Sequence, residues 1–375
     1  MTAEEHTMVI AQIALKLSGL KLGATFQKYE EGPVVTTYYY RLSLDVPVAK
    51  IVNKAEDIAI ACNVDKVIIQ RIGGSIAIEV PNANRKVIDF NDCLYKMLTS
   101  VGFSDLKLPI MLGVDTYGRP AALDLVSLPH VLIAGTTGGG KSVLLSSIIG
   151  GLACAKTPQE LRFILVDTKK LDLPLFKDLP HTLDNVEDVV AFHKSMDKLM
   201  RIVRTRTEKL KGVARNVSEW NQLRPAEPMP YYVMIIDELA DLIDEDAGRR
   251  YVDELYDETY TRIPARIKAL VQICRAAGVH LICATQRSSV KVINGDIKAN
   301  MPTRIALRLP TRVDSTTILS AGGAENLLGR GDMLVETLEA PLTRYHGAFV
   351  SNNDIVAILE NAKVIREQLR AVAKV

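Results

Sequence analysis

Apolar positions at helical spacing open the chain, and residues 8–20 (MVIAQIALKLSGL) predict an amphipathic helix closed by a glycine-containing stretch. Pro33 to Leu42 is rich in β-branched and aromatic residues and predicts a strand. Helical periodicity returns over 48–62, and Lys66–Ile69 and Ser75–Val80 read as short strands around Gly73-Gly74. Together these form a small α+β unit ending near residue 95. After Pro109, the stretch LGVDTYGRPAALDLVSLPH reads as a connector with turn residues.

From His130 the pattern changes. Short apolar runs alternate with long helical segments: VLIAG then 141–154, FILVD then 185–211, YVMIID then 250–277, HLICAT then a loop, and TRIALRL. Strands separated by helices predict an α/β fold, with a mainly parallel sheet flanked by helices. The tail, Asn353 to Val375, reads as one or two helices.

Composition narrows the class. With 375 residues, 48% of them hydrophobic and 24% charged, the chain has material for a core and is no disordered, collagen-like or small disulfide-framed protein. Five cysteines without C-x-x-C spacing read as reduced, small hydrophobes, and the six histidines are scattered, so no metal cluster is expected. The acidic, polar start is unlike a secretory signal, and no apolar run approaches the roughly 18 residues of a membrane span. A cytoplasmic protein, complete from Met1, is the expectation.

The sharpest motif follows the first of the alternating strands. HVLIAGTTGGGKSVLLSSIIGGL contains G-x-x-x-x-G-K-[ST], after a buried strand and opening a helix, where that motif must sit. Its nucleotide-binding residues are Gly135, Thr136, Thr137, Gly138, Gly139, Gly140, Lys141, Ser142 and Val143. Glycines let main-chain N–H groups turn inward around phosphates, and the helix N-terminus adds partial positive charge. Lys141 is placed to reach the β and γ phosphates of ATP, and the Ser142 hydroxyl to ligate Mg²⁺.

Ligands in open α/β sheets bind at the carboxyl ends of strands. YYVMIIDELADL ends a buried strand in Asp237-Glu238, which places Asp237 beside Mg²⁺ and Glu238 to orient or deprotonate an attacking water. FILVD ends in Asp167, followed by Thr168-Lys169-Lys170, which either assists the site or leads into a turn. Gln286 ends a further strand and either senses a γ-phosphate or bonds loop backbone.

The net charge of +2 hides segregation. Residues 286–312 hold Arg287, Lys291, Lys298, Arg304, Arg308 and Arg312 against Asp296, a local +5. Residues 201–215 also reach +5, while 237–259 carry ten acids against Arg249 and Arg250, giving −8. Basic loops that also hold Ser, Thr and Asn suit sequence-independent contact with phosphate backbones, and the lack of interleaved aromatics favours duplex over single strands. The 201–215 run is equally a solvated helix face.

The chain resembles the motor of the FtsK/SpoIIIE family of DNA translocases. HVLIAGTTGGGKSV, IIDELADL, RAAGVHLICATQR, IKANMPTRIALR, DSTTILSAGGAENLLGRGDML and RYHGAFV follow that family's pattern in order, and EGPVVTTYYYRL with IAIEVPNANRKVI resembles its α subdomain. The resemblance implies an α subdomain over 1–108, a RecA-like ATPase subdomain over 109–350 and a helical tail over 351–375. It also implies a hexameric ring on double-stranded DNA that hydrolyses ATP between subunits. Arg275 matches the arginine supplied to a neighbour's γ-phosphate, although composition alone makes it a surface helix residue. Arg287 and Lys298 match pore-loop residues facing DNA, Arg312 a basic position in a second pore loop, and Gln286 the sensor.

The chain departs from the pattern in four places. Thr316 stands where the family commonly has arginine, Thr168 replaces a usual proline, a long insertion before IIDEL is missing, and no membrane region or winged-helix domain accompanies the motor. A stand-alone motor is the resulting expectation. The competing expectations are a related ATPase that moves a protein substrate in secretion, and a plasmid or phage DNA transfer or packaging ATPase.

Overall fold

The computed structural model describes residues 2–248, 262–289, 292–293 and 295–361. The chain begins with α1 (Ala3–Gly19), β1 (Ala24–Glu31), β2 (Val35–Leu42), α2 (Val48–Val52), α3 (Ala55–Ala61), β3 (Ile68–Ile72) and β4 (Ser75–Pro81). The four strands form an antiparallel sheet in the order β1-β2-β4-β3. The helices bury Ile13, Leu17, Ile51 and Ile58 against Tyr38, Tyr40, Ile76 and Ile78. The first helix starts well before its apolar stripe because Thr2 and Glu5 form a reciprocal capping box, which apolar spacing does not register. The helix expected over 48–62 is two helices, broken at Asn53-Lys54, where asparagine is a weak helix former.

The rest of the chain supplies α4 (Phe90–Thr99), β5 (Pro109–Asp115), β6 (Pro120–Asp124), β7 (His130–Ala134), α5 (Lys141–Ala155), β8 (Leu161–Val166), β9 (Thr182–Val186), α6 (Val189–Leu210) and α7 (Val217–Leu223). Then come β10 (Tyr231–Ile236), α8 (Leu239–Gly248), α9 (Ile263–Val271), β11 (Val279–Thr285), α10 (Gly295–Asn300), β12 (Thr303–Leu307), α11 (Arg312–Leu319), β13 (Asp332–Glu336) and β14 (Thr343–His346). A last helix runs from residue 352 and is described as far as 361. Much of the helix expected over 250–277, the rest of the tail, Lys291, and Arg249 and Arg250 with the acids that follow them lie outside the described residues.

The turn-rich stretch before His130 is no mere connector. Its two halves are β5 and β6, an antiparallel hairpin, whose tip is organised by the Asp115 carboxylate accepting from the N–H groups of Tyr117 and Arg119. Turn residues at the tip masked the strands on either side. Also unanticipated were β9, which buries only Val186, and the short strands β13 and β14.

Ten strands make one sheet in the order β6-β5-β14-β13-β12-β7-β11-β10-β8-β9. Pairing is parallel from β12 through to β9 and antiparallel from β12 back to β6. Both faces are covered. Val131 and Ile133 face a core shared with α4 and α5, while Leu132 and Ala134 face one shared with α6, α8 and α9. That double burial is why the strands read as continuous apolar runs. The parallel register brings Arg308, Gly135, Gln286, Asp237 and Asp167 to the same edge, each just past the end of its strand.

Candidate nucleotide-binding site

The loop from Gly135 to Gly140 joins β7 to α5 and is closed on itself by Gly139 N–H donating to the Thr136 carbonyl at 2.9 Å. It is pinned on both sides. The Thr136 N–H donates to the Arg308 carbonyl, and the Gly331 N–H to the Gly139 carbonyl at 2.8 Å. Gly140 has φ +103°, and a Cβ there would lie 2.5 Å from the Gly331 nitrogen, so only glycine fits. The first turn of α5 then presents Lys141, Ser142 and Val143 to a cleft of about 370 Å³. Gln286 and the segments around Gly331 and Gly347–Phe349 form the rest of its wall.

Lys141 is only 4% exposed, and its ammonium donates to the Asp237 carboxylate at 2.6 Å and to the Asp237 carbonyl. Burial raises the Asp237 pKa, and Lys141 opposes that rise. Glu238 is equally buried, and both its oxygens are engaged by the neighbouring strand end. Thr285 Oγ1 donates to Oε1 at 2.6 Å, and the Gln286 N–H to Oε2 at 2.9 Å. The Gln286 side chain in turn accepts from Thr137 Oγ1 at 3.1 Å, tying it to the phosphate loop.

Asp167 is a loop organiser. Its buried carboxylate accepts the N–H groups of Lys169, Lys170, Leu171, Asp172 and Leu173, all within 3.1 Å. The turn so made points Asp172 at Ser142, whose hydroxyl donates to its carboxylate, and brings Lys169 to within 3.0 Å of Asp241 and 4.0 Å of Glu238. Asp172 escaped the sequence reading because no apolar run precedes it; the signal was the buried Asp five residues upstream.

The remaining predicted residues lie elsewhere. Arg275 precedes β11, at the opposite edge of the sheet from the phosphate loop, exposed and donating to the Ser127 carbonyl at 3.1 Å. It takes no part in this subunit's cleft. Arg287 is engaged by α8, at 2.6 Å from Asp244 and 3.4 Å from Asp241. Lys298 on α10 donates to the Thr316 carbonyl of α11, and Ser288 donates to Asp314 of the same helix. The loops bearing Arg287, Lys298 and exposed Arg312 are therefore gathered around α11 at the cleft end of the sheet. In the 201–215 run, Arg206 is buried, donates to the Ala277 carbonyl and lies over the Tyr232 ring.

A glycine-rich phosphate loop, a buried lysine and two strand-end acids on this strand order define a RecA-like P-loop ATPase. Residues 100–229 match the model of the FtsK/SpoIIIE family, and residues 1–82 that of the FtsK alpha domain. The chain is 34% identical to the DNA translocase FtsK of Haemophilus influenzae, across 96% of this chain and 72% of that protein. It is 37% identical to the DNA translocase FtsK of Caulobacter vibrioides, across 90% of this chain but 43% of that protein. The chain belongs to the FtsK/SpoIIIE family, and it spans less than half the length of several of the curated relatives it matches. Among solved structures, the pCW3 conjugation coupling protein TcpA with ATPγS aligns over 94% of this chain and 99% of that one. Its TM-score is 0.62 at 23% identity. The Thermomonospora curvata type VII secretion ATPase EccC aligns over 68% of this chain and 31% of that one, with a TM-score of 0.57 at 23% identity. Both likenesses concern the fold. Among the described residues, no helix is long and apolar enough to cross a membrane.

Proposed function

We propose that this chain is an ATP-hydrolysing motor that moves along double-stranded DNA as a ring of identical subunits, hexameric as in the family it resembles. One observation carries the coupling. The buried Glu238 carboxylate is bonded to Thr285 and to Gln286, which lines the nucleotide cleft, and the next residue is Arg287 of the basic loop. A displacement of Glu238 thus has one hydrogen bond to cross, to the Gln286 N–H, before it reaches a loop placed for DNA. The relatives at 34–37% identity are DNA translocases by name, which supports duplex DNA over a protein substrate.

In this reading Lys141 exchanges its Asp237 contact for the β and γ phosphates of ATP, whose chain follows the loop N–H groups. Glu238 holds the attacking water and accepts its proton, and Gln286 bridges the reacting end to the loop through Thr137. The donors around Ser142 are all hard oxygens (its hydroxyl and the Asp237 and Asp172 carboxylates), a set that fits magnesium. Ser142 and Asp237 would hold the ion, which when bound neutralises charge on the β and γ phosphate oxygens. Arg275, remote from its own cleft, completes the cleft of the next subunit. Arg287, Lys298 and Arg312 contact the phosphate backbone, with Arg287 leaving Asp244 to do so.

The test is triplex displacement on linear duplex DNA, alongside ATPase rates with and without duplex. The expected result is ATP-dependent displacement and a rate stimulated by duplex. Loss of both in Arg275→Ala, with rescue of turnover by mixing in Lys141→Ala subunits, would place Arg275 in the neighbour's site. Absence of any duplex stimulation would overturn the translocase reading and leave a protein substrate as the successor.

A further inference from the structure

Beside the nucleotide cleft, and sharing the phosphate loop with it, lies a second cavity of about 240 Å³. Its floor is the same loop, from Thr136 to Gly139. One wall is Arg308, just past β12, and the other is Lys66, from the turn before β3 in the small domain. Leu309 and Pro310 complete the lining, which contains no carboxylate side chain. The Arg308 guanidinium is exposed and has no hydrogen bond or ion pair among the described residues. Lys66 spends one donor on the Glu325 carbonyl and keeps two more. Its pKa is lowered, by burial first and then by the nearby Arg308 charge. Two cations held together at a domain junction, facing hydroxyls and glycines, form a place that an anion relieves.

We propose that this junction is a second oxyanion site, which takes a phosphate group between Lys66 and Arg308. Arginine offers a planar fork and lysine a point charge, a pairing that suits a tetrahedral oxyanion. Thr136, Thr137 and Gly138 line both cavities, so the phosphate bound here is separated from the nucleotide cleft by the thickness of one loop. Its source is either free orthophosphate, such as hydrolysis releases, or a phosphodiester of bound nucleic acid.

The test uses the full chain saturated with a non-hydrolysable ATP analogue, which fills the phosphate loop itself. Orthophosphate is then titrated and uptake measured by calorimetry, for wild type, Arg308→Ala, Arg308→Lys and Lys66→Met. One bound phosphate is expected in wild type, with affinity about tenfold weaker in Arg308→Ala and Lys66→Met. Arg308→Lys should retain most of the affinity, and analogue binding should be the same in all four proteins. Because the Arg308 guanidinium makes no hydrogen bond or ion pair among the described residues, its variants are expected to report on the site without a folding defect. In a parallel arm, duplex DNA affinity is measured against salt, where a lost phosphodiester contact reduces the slope by about one. A change in the first arm identifies orthophosphate and a change in the second a phosphodiester; no change in either overturns the proposal. Failure of the analogue to bind would count against the ATPase, while phosphate uptake by Arg308→Ala against wild type would still decide this site.

Discussion

Glu238 has no freedom to wander. Thr285 and Gln286 fix both of its oxygens, so the carboxylate is aimed by a strand it does not belong to. Glu238→Gln preserves the shape and one acceptor but removes the base. Turnover is expected to fall about a thousandfold with ATP affinity unchanged within about twofold, measured by steady-state hydrolysis and by binding of a fluorescent ATP analogue. Unchanged turnover would reassign the base. Residues of this kind were legible in the sequence because each follows an apolar run that can only be a buried strand, and strand ends are where ligands sit. Arg206 illustrates the opposite case. Charge counting placed it with its neighbours in a basic run, yet it is buried over Tyr232, and burial draws its pKa down to about 10. Arg287 likewise counts as a free base in a tally but spends its guanidinium on Asp244 and Asp241. Pairing between distant segments is what a composition window cannot see.

At the scale of elements, the turn after β8 hangs on a single carboxylate. Asp167→Ala would leave five N–H groups without their acceptor and release Asp172 from Ser142. A loss of about 3 kcal/mol is expected in urea unfolding, with Asp167→Asn losing less. The opposite edge of the sheet carries a pH response. His280, fully buried, donates its Nδ1–H to the Pro129 carbonyl at 3.1 Å, and its pKa is pushed down to about 4 by burial. Burial, with His280 close by, pushes His130 down to about 3. Both stay neutral in the fold, whereas the unfolded chain protonates them near pH 6.5. Stability is therefore flat above pH 6.5 and falls as the pH drops towards 4, by about 1.4 kcal/mol per pH unit for each histidine. His280→Asn keeps a donor for the Pro129 carbonyl and should remove one histidine's share of that slope, about 1.4 kcal/mol per pH unit, in denaturant midpoints measured between pH 6.5 and 4.5. Long elements such as α5 and α6 were plain from apolar spacing, and α6 begins where Asp188 caps it. β13 and β14 were not, since strands of five and four residues carry too few positions to show a period.

At the scale of the whole molecule, the small and large sheets are joined by buried charge. Arg344 on β14 lies 2.7 Å from Glu79 of β4 and 2.6 Å from Asp332 of β13, and His346 lies 3.2 Å from Asp332. Burial alone would raise the Asp332 pKa; Arg344 and then His346 reverse this and hold it far below the ordinary carboxylate range. Removing one member strands another, so Glu79→Ala is expected to cost about 3 kcal/mol and to split calorimetric unfolding into two transitions. A single transition at the wild-type temperature would show that the domains are held by other contacts. Nothing in the sequence pattern marks Glu79 and Arg344 as partners, since they stand in different domains and each looks like an ordinary strand residue.

Gly331 and Gly347 flank Asp332 and His346, and Gly331 meets Gly140 and Gly347 backbone to backbone with no side chain between them. Side chains deform and absorb displacement, while abutting main chains do not. A shift of the phosphate loop by a fraction of an ångström must therefore arrive at Arg344, and through it at the small sheet, almost undiminished. The junction behaves as a linkage without backlash, in which even a single added methyl group would introduce play.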